Sequence, residues 1–319
     1  MLGRLRRLLS PGSARAEDAA GPDRTMVLPI GGAGMFNAVN RVAYFADLVA
    51  RDGRDFVVDW AKSPYADPDI GGEPWRYFFE PVFADATLGD AYDPVRKYYK
   101  NADFSVDHPL NPRLIEGRLD TMGLPPDRHA AGAILHRFIR PNALTRATVE
   151  DFADTFFKGP VIGLHMRGPG RNHGGADRMR ALLDDTQPVP FKHYFAAVDA
   201  VLADQPDAQV FACSDSAMVI ERCRAQYGDR LITYPSTRSD FGEMHDSHPE
   251  NEGMRFSTFK LGLDIVAEAH LLARCAHLVH GNSNVSNYVL CRSADMPSTY
   301  VYASVVDRYV EILKAEDEA

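Results

Sequence analysis

TMVLPIGGAGMFNAVNRVAYFADLVARDGRDFVVDW, residues 25–60, changes period three times. Met26 to Ile30 is an apolar run of strand length, and Gly31, Gly32 and Gly34 follow as a tight turn. Val39, Val42, Ala43, Ala46 and Val49 then recur at three- and four-residue spacing, the apolar stripe of a helix. Gly53 stops that helix, and Phe56 to Trp60 resumes as a strand. Strand, turn, helix and strand form the repeating unit of a parallel α/β sheet. The turn is not GxGxxG and no Lys-Ser/Thr follows it, so it is no P-loop. It serves either to pack the helix closely on its strand or to face a ligand.

The alternation returns in the second half. GPVIGLHMRGPGRNHGG (159–175) holds the apolar strand Val161–Leu164, which ends in His165 and Arg167 before a loop rich in glycine. A helix is expected at Phe191–Ala203, then strand AQVFACSD, a helix at Ala217–Tyr227 and strand RLITYP. A polar loop, 240–253, precedes a long helical pattern from Phe256 to Ala273. Strand HLVHG and the turn into a helix, NSNVSNYVLCR, complete a second doubly wound pattern. Between the halves, Thr145–Phe157 reads as a helix. Ser63–Pro112, rich in Pro, Tyr, Phe and Asp, reads as an irregular aromatic insertion able to hold a substrate.

A chain of 319 residues fits two domains, divided as a basic tail 1–24, a unit 25–157 and a unit 158–319. A net charge of −9 argues against a general nucleic-acid binder, since phosphate-backbone affinity needs a basic surface. Cys213, Cys223, Cys275 and Cys291 form no CxxC pair, which suits reduced core thiols in a cytoplasmic protein. No apolar run approaches bilayer-spanning length. The basic amphipathic Leu2–Leu9 segment is either a peripheral contact to the inner face of a membrane or a solvated terminus.

In doubly wound sheets ligands sit beyond the carboxyl ends of the strands. Three strand ends carry polar residues there: His165/Arg167, Ser214-Asp215-Ser216 and Asn282-Ser283-Asn284. Arg167 offers bidentate, charge-assisted bonds to a phosphate and cannot lose its proton. Asn282-Ser283-Asn284 precedes a helix, so its free N–H groups and hydroxyl suit an anion. Asp215 can accept from a base or a ribose hydroxyl. Together these read as a nucleoside diphosphate pocket. The plainer alternatives are N-caps at Asp215 and Ser283 and a surface ion pair at Arg167.

VIGLHMRG (161–168) resembles the HxR strand motif of the GDP-fucose-dependent fucosyltransferases, which join the α1,6-, α1,2- and protein O-fucosyltransferases. VFACSDSAMVIERCRAQYGDRLI, GLDIVAEAHLLARCAHLVHGNSNVSNYVL and the 31–60 stretch resemble the same superfamily in the right order, over about half of the chain. The resemblance implies an α/β, GT-B-like fold of two Rossmann-like doubly wound domains facing a cleft. The 25–157 unit would be the acceptor side and 158–319 the nucleotide-sugar side. It implies a metal-independent, inverting glycosyltransferase, with GDP-fucose as donor substrate, a glycan acceptor and no cofactor. By position, Arg167 would bind the diphosphate and stabilise leaving GDP. His165 and Asp215 would recognise the nucleoside, Ser283, Asn284 and Val285 would hold the pyrophosphate, and Gly31, Gly32 and Gly34 would face the donor.

The α1,6 enzymes carry a second arginine where Gly168 stands, leaving Arg171 as the substitute on this loop. Their acceptor-activating carboxylate is replaced by GPGRNHGGAD (168–177), leaving Asp177 or His173 as candidate base. Asp67-Pro68-Asp69 follows KSPYA rather than a strand, a poor setting for a metal–diphosphate site. His245, Asp246 and His248 make a weak metal signal. Two other readings stay open: a different nucleotide-sugar donor, and a non-catalytic GDP- or glycan-binding relative.

Overall fold

A computed structural model describes residues 25–32, 34–84, 86, 92–99, 108–110, 127–168, 179–183, 187, 189–239 and 257–317. The first unit is built on β1 (Thr25–Pro29), which pairs in parallel with β2 (Val57–Asp59) and with β3 (Tyr92–Pro94). Between β1 and β2 runs α1 (Met35–Arg51), whose apolar stripe is buried from Met35 to Val49. Asp52 ends the helix and Gly53 follows at φ +67°, the left-handed conformation that glycine adopts without a Cβ penalty. β3 leads straight into a single helical turn, α2 (Val95–Tyr98).

Two helices bridge the halves: α3 (Arg128–Phe138), capped by Asp127, and α4 (Ala143–Phe156), capped by Asn142. The second unit alternates β4 (Val161–His165), α5 (Phe191–Asp204), β5 (Gln209–Cys213), α6 (Ala217–Tyr227) and β6 (Leu231–Ile232). It continues with α7 (Thr258–Leu272), β7 (His277–His280), α8 (Asn284–Arg292), β8 (Ser298–Tyr300) and α9 (Val306–Asp317). The five strands are all parallel in the order β6-β5-β4-β7-β8. The chain therefore winds outward from β4 to one side, then returns to the other side at β7. The junction of β4 and β7 is the switch point at which such sheets leave a crevice.

β4 is buried along its whole length, as a central strand covered on both faces must be. Gly163 at its centre keeps room for the end of α7: a Cβ there would lie 3.0 Å from Leu272 and 3.2 Å from Cys275. The largest apolar cluster runs through both units. α1, α3, α4, α7 and α8 pack on one another, so the bridging helices cover the second unit as well as following the first. Phe152 of α4, for example, meets Phe211 of β5 and Tyr234 beyond β6.

The 63–112 stretch departs in part from its sequence reading. Of its described aromatics, Tyr65, Trp75, Phe78 and Phe79 are almost fully buried core, each such ring contributing roughly 1.5–3 kcal/mol, while Tyr65 also borders the cavity between the units. Their polar ends are satisfied inside. The Trp75 indole N–H donates to the Glu80 carbonyl at 3.0 Å, and the Tyr77 hydroxyl to the Gly71 carbonyl at 2.6 Å. β3 and β8 were not evident in the sequence, nor was α3.

The same stretch bolts the first unit to the start of α7. Ser257 caps α7 through the Lys260 N–H and donates its hydroxyl to Asp67 at 2.8 Å. The Thr258 hydroxyl donates to the Ala66 carbonyl at 2.8 Å. That Ser257 bond, first among several, holds Asp67 below the usual carboxylate range. One turn later, Phe78 lies so close over Gly262 that a Cβ on it would collide with the ring, and Phe78 stacks on Phe259 at 5.9 Å.

Candidate functional site

A cavity of about 290 Å³ opens between the two units, at the carboxyl ends of β4 and β5 and against the start of α8. His165, Arg167, Asp215, Asn284 and Val285, drawn from three separate strand ends, line it together. Gly34 lines it from the other unit, at the start of α1.

His165 is the last residue of β4 and only 8% exposed. Its Nδ1 lies 3.1 Å from the Ser286 hydroxyl and 3.4 Å from that of Ser283, both at the start of α8. Burial first, then the positive Arg167 and neighbouring His280, push the imidazole down to about 3. It is neutral at physiological pH. In the tautomer whose Nδ1 accepts from a serine, the other ring nitrogen carries the proton.

Ser283 caps α8, accepting from the Ser286 N–H at 3.0 Å. The capping alternative therefore holds for Ser283, whose side chain is committed to the helix and to His165. At Asp215 it does not hold: the cap of α6 is the next residue, Ser216. Asp215 instead accepts from the Gly168 N–H at 2.8 Å, tying the loop leaving β4 to the loop leaving β5. Arg167 is exposed at the rim of the cavity.

The first unit contributes the start of α1. Gly34 caps it without any side-chain bond, and the Met35 N–H donates to the Tyr65 hydroxyl at 3.0 Å. Gly34, Met35, Phe36 and Asn37 line the cavity with Tyr65. Phe36 packs on Tyr288 of α8 with ring centroids 4.4 Å apart. Two helix N-termini, those of α1 and α8, thus border one cavity, and free N–H groups at such ends favour an anion.

The glycines of the turn do not all act as expected. Gly31 and Gly32 are not among the lining residues, and the left-handed glycines of the described residues are Gly53, Gly71, Gly72 and Gly228. Neither Gly31 nor Gly32 needs glycine for space. A Cβ on Gly31 would meet nothing within 4 Å. Arg171, His173 and Asp177, and the weak metal signal of His245, Asp246 and His248, lie outside the described residues, as does Leu2–Leu9.

The sequence reading missed the far wall. Asp264 and Glu268, one turn apart on α7, both line the cavity and are 2% and 8% exposed. Asp264 accepts from the Thr237 N–H at 2.9 Å and from Lys260 Nζ at 2.6 Å. Glu268 accepts from the Ser236 hydroxyl at 2.6 Å and from Arg238 at 2.8 Å. Burial pushes Glu268 up to about 7, while Arg238 and Ser236 pull it down. Two acids four apart inside a largely apolar stretch of helix, LGLDIVAEAHLL, were the available signal. Burying carboxylates without a polar task is costly.

Among the described residues no three His, Cys, Asp or Glu side chains gather as a metal site, and no helix is long and apolar enough to cross a membrane. Asp67 is engaged with Ser257 and, like Asp69, does not line the cavity. The four cysteines are free and buried.

No family model and no curated protein matches the chain. Solved structures do. The fucosyltransferase NodZ from Bradyrhizobium superimposes with a TM-score of 0.50 at 18% identity, over 87% of this chain and 93% of that one. A point mutant of Arabidopsis thaliana FUT1 in complex with GDP superimposes with a TM-score of 0.50 at 13% identity, over 94% of this chain and 74% of that one. The chain has the two-sheet fold of these proteins.

Proposed function

We infer that the cavity is the donor site of a glycosyltransferase, and that it transfers fucose from GDP-fucose to a hydroxyl of a glycan or glycoconjugate. The observation that carries this reading is the convergence of His165, Arg167, Asp215 and the α8 N-terminus at the switch point of a parallel sheet, opposite the N-terminus of α1. Each group has a task suited to a nucleoside diphosphate. The N–H groups of Asn284 and Val285 and the Arg167 guanidinium suit the diphosphate, and Asp215 suits N–H or O–H donors of the nucleoside. Neutral His165 donates through its protonated nitrogen without competing with Arg167 for the anion. That a fold relative holds GDP supports the choice of nucleotide.

In the reaction we propose, the acceptor oxygen attacks the anomeric carbon as the bond to the β-phosphate oxygen breaks, in one displacement that inverts the centre. The electron pair leaves with GDP. Arg167 and the two helix N-termini then face the charge growing on the β-phosphate, and aimed donors of this kind are worth about 3–4 kcal/mol each. With that charge met by the chain's own groups, the transfer needs no metal. The acceptor proton passes to a base, for which Asp177 and His173 remain the candidates.

Calorimetric titration of the whole protein with GDP, with and without EDTA, tests the reading. Binding that EDTA does not change is expected, followed by fucose release or transfer from GDP-fucose faster than the corresponding reaction of GDP-mannose. Absence of GDP binding would sink the site. A faster reaction from GDP-mannose would replace the sugar, and binding with no turnover of any donor would make the protein a binding relative.

A further inference from the structure

Among the described residues, Arg238 is a largely buried cation built into the wall behind this cavity that the reading above leaves without a task. It stands in YPSTRSD (234–240), the stretch leaving β6, and is not a lining residue. Its side chain is 11% exposed. Nε donates to the Ser214 carbonyl at 3.2 Å and Nη1 to the Ser236 carbonyl at 3.1 Å. Nη2 donates at 2.8 Å to both the Tyr234 carbonyl and the Glu268 carboxylate. One planar group therefore holds the exit of β5, the exit of β6 and the middle of α7. A second set of bonds closes the same junction: Ser239 N–H donates to the Asp215 carbonyl at 3.0 Å, and Ala217 N–H to the Ser239 carbonyl at 2.9 Å.

We propose that Arg238 is a positioning residue for the nucleotide: by gripping Ser214, Ser236 and Glu268 from behind, it fixes where Asp215 and Glu268 present their oxygens to the ligand. The role rests on the nucleotide reading of the cavity. The groups facing the Glu268 carboxylate are Arg238 and Ser236 from the β6 exit, Asp264 from its own helix, Cys213 and Asp215 from β5 and its exit, and Tyr234. Arg238 is the single cation in that set. Without it the buried Asp264, the half-buried Asp215 and a tyrosine surround Glu268, and its proton is held to higher pH. Lysine keeps the charge, but its ammonium has no planar fork to span three carbonyls and a carboxylate.

Two measurements on the full chain decide the matter. Carboxyl carbon NMR of wild type, Arg238→Met and Arg238→Lys, with Glu268→Gln for assignment, follows the Glu268 titration. Calorimetry follows GDP affinity over the same pH range. In Arg238→Met the Glu268 midpoint should rise by about one pH unit or more, and GDP should bind roughly tenfold more weakly at neutral pH. Part of that loss should return as the pH is raised through the new midpoint. In Arg238→Lys the midpoint should stay near that of wild type while GDP binds several-fold more weakly. An unmoved midpoint in a folded Arg238→Met protein overturns the role, as does wild-type GDP affinity in both variants. Should Arg238→Met fail to fold, Arg238→Lys decides alone, and wild-type affinity in it overturns the proposal. If wild type binds no GDP, the nucleotide reading itself falls, a result distinct from normal wild-type binding with indifferent variants.

Discussion

Replacing Arg167 by alanine separates binding from folding at this site. The side chain is exposed at the rim of the cavity, and the backbone bond from Gly168 N–H to Asp215 does not depend on it. Removing an exposed side chain at a surface position typically shifts stability by about 0.5 kcal/mol or less. Its effect on the diphosphate proposed for this cavity should be larger. Two unit charges 4 Å apart interact by about 1 kcal/mol in water and about 4 kcal/mol at the effective dielectric near a protein surface. A rim position lies between these, in agreement with the roughly 1.5–3 kcal/mol typical of a hydrogen bond to a charged group. At about 1.4 kcal/mol per tenfold, GDP should bind some 10- to 150-fold more weakly to Arg167→Ala. Turnover should fall further, by about 10²- to 10³-fold, because the charge on leaving GDP grows in the transition state. Calorimetry at low and raised salt, a thermal melt and a fucose-transfer assay together make the test. Wild-type GDP affinity in the variant would refute the assignment. So would a loss of affinity matched by a comparable fall in stability, since Arg167 would then be a structural residue.

Three further outcomes are expected. His165 and His280 are held near 3 and near 4, below the ordinary histidine value, chiefly by burial, so the stability they contribute is present above about pH 6.5 and lost as pH falls toward those values. The urea midpoint should therefore drop on acidification from pH 6.5 to 4, and His165→Gln should flatten part of that slope; parallel curves would count against a neutral buried His165. Gly262→Ala forces a methyl into the Phe78 ring and should cost about 1–3 kcal/mol in denaturant unfolding, with Phe78→Leu in the same chain restoring part of it. Ser257→Ala removes the α7 cap and should cost about 1 kcal/mol, together with a measurable loss of GDP affinity because α7 carries Asp264 and Glu268; unchanged affinity would mean that the helix start does not govern its far wall.

The parallel α/β character and the three polar strand ends were legible because they rest on period. Apolar runs at β1, β4, β5 and β7, and stripes at α1 and α7, announce buried strands and helices directly. β3 and β8 are three residues each, too short for any alternation to show, and their place in a sheet comes from tertiary pairing alone. The aromatic stretch around Trp75 misled for a related reason. Its rings are held by each other and by carbonyls five and six residues away in irregular chain, so no regular period reports their burial. Asp264 and Glu268 were hidden by the strength of the helix pattern around them, and their polar partners Ser236, Thr237 and Arg238 come from another element. Ser283 shows the opposite limit: its cap and its contact with His165 are one arrangement, and residue type alone could not separate them.

The bond between Asp67 and Ser257 joins positions 190 residues apart. During synthesis the aromatic stretch emerges long before the helix it must clamp, and its surfaces for Phe259 and Gly262 wait uncovered until α7 arrives. The cavity wall is therefore among the last parts to be completed, however early β4 and its motif have formed. A fragment comprising only 158–319 would lack the clamp on α7, the cover that Phe152 gives β5, the hydroxyl of Tyr65 and the start of α1. The two halves are not interchangeable modules: grafting a foreign first unit onto this second one would require a matching carboxylate, carbonyl and aromatic ring at the seam.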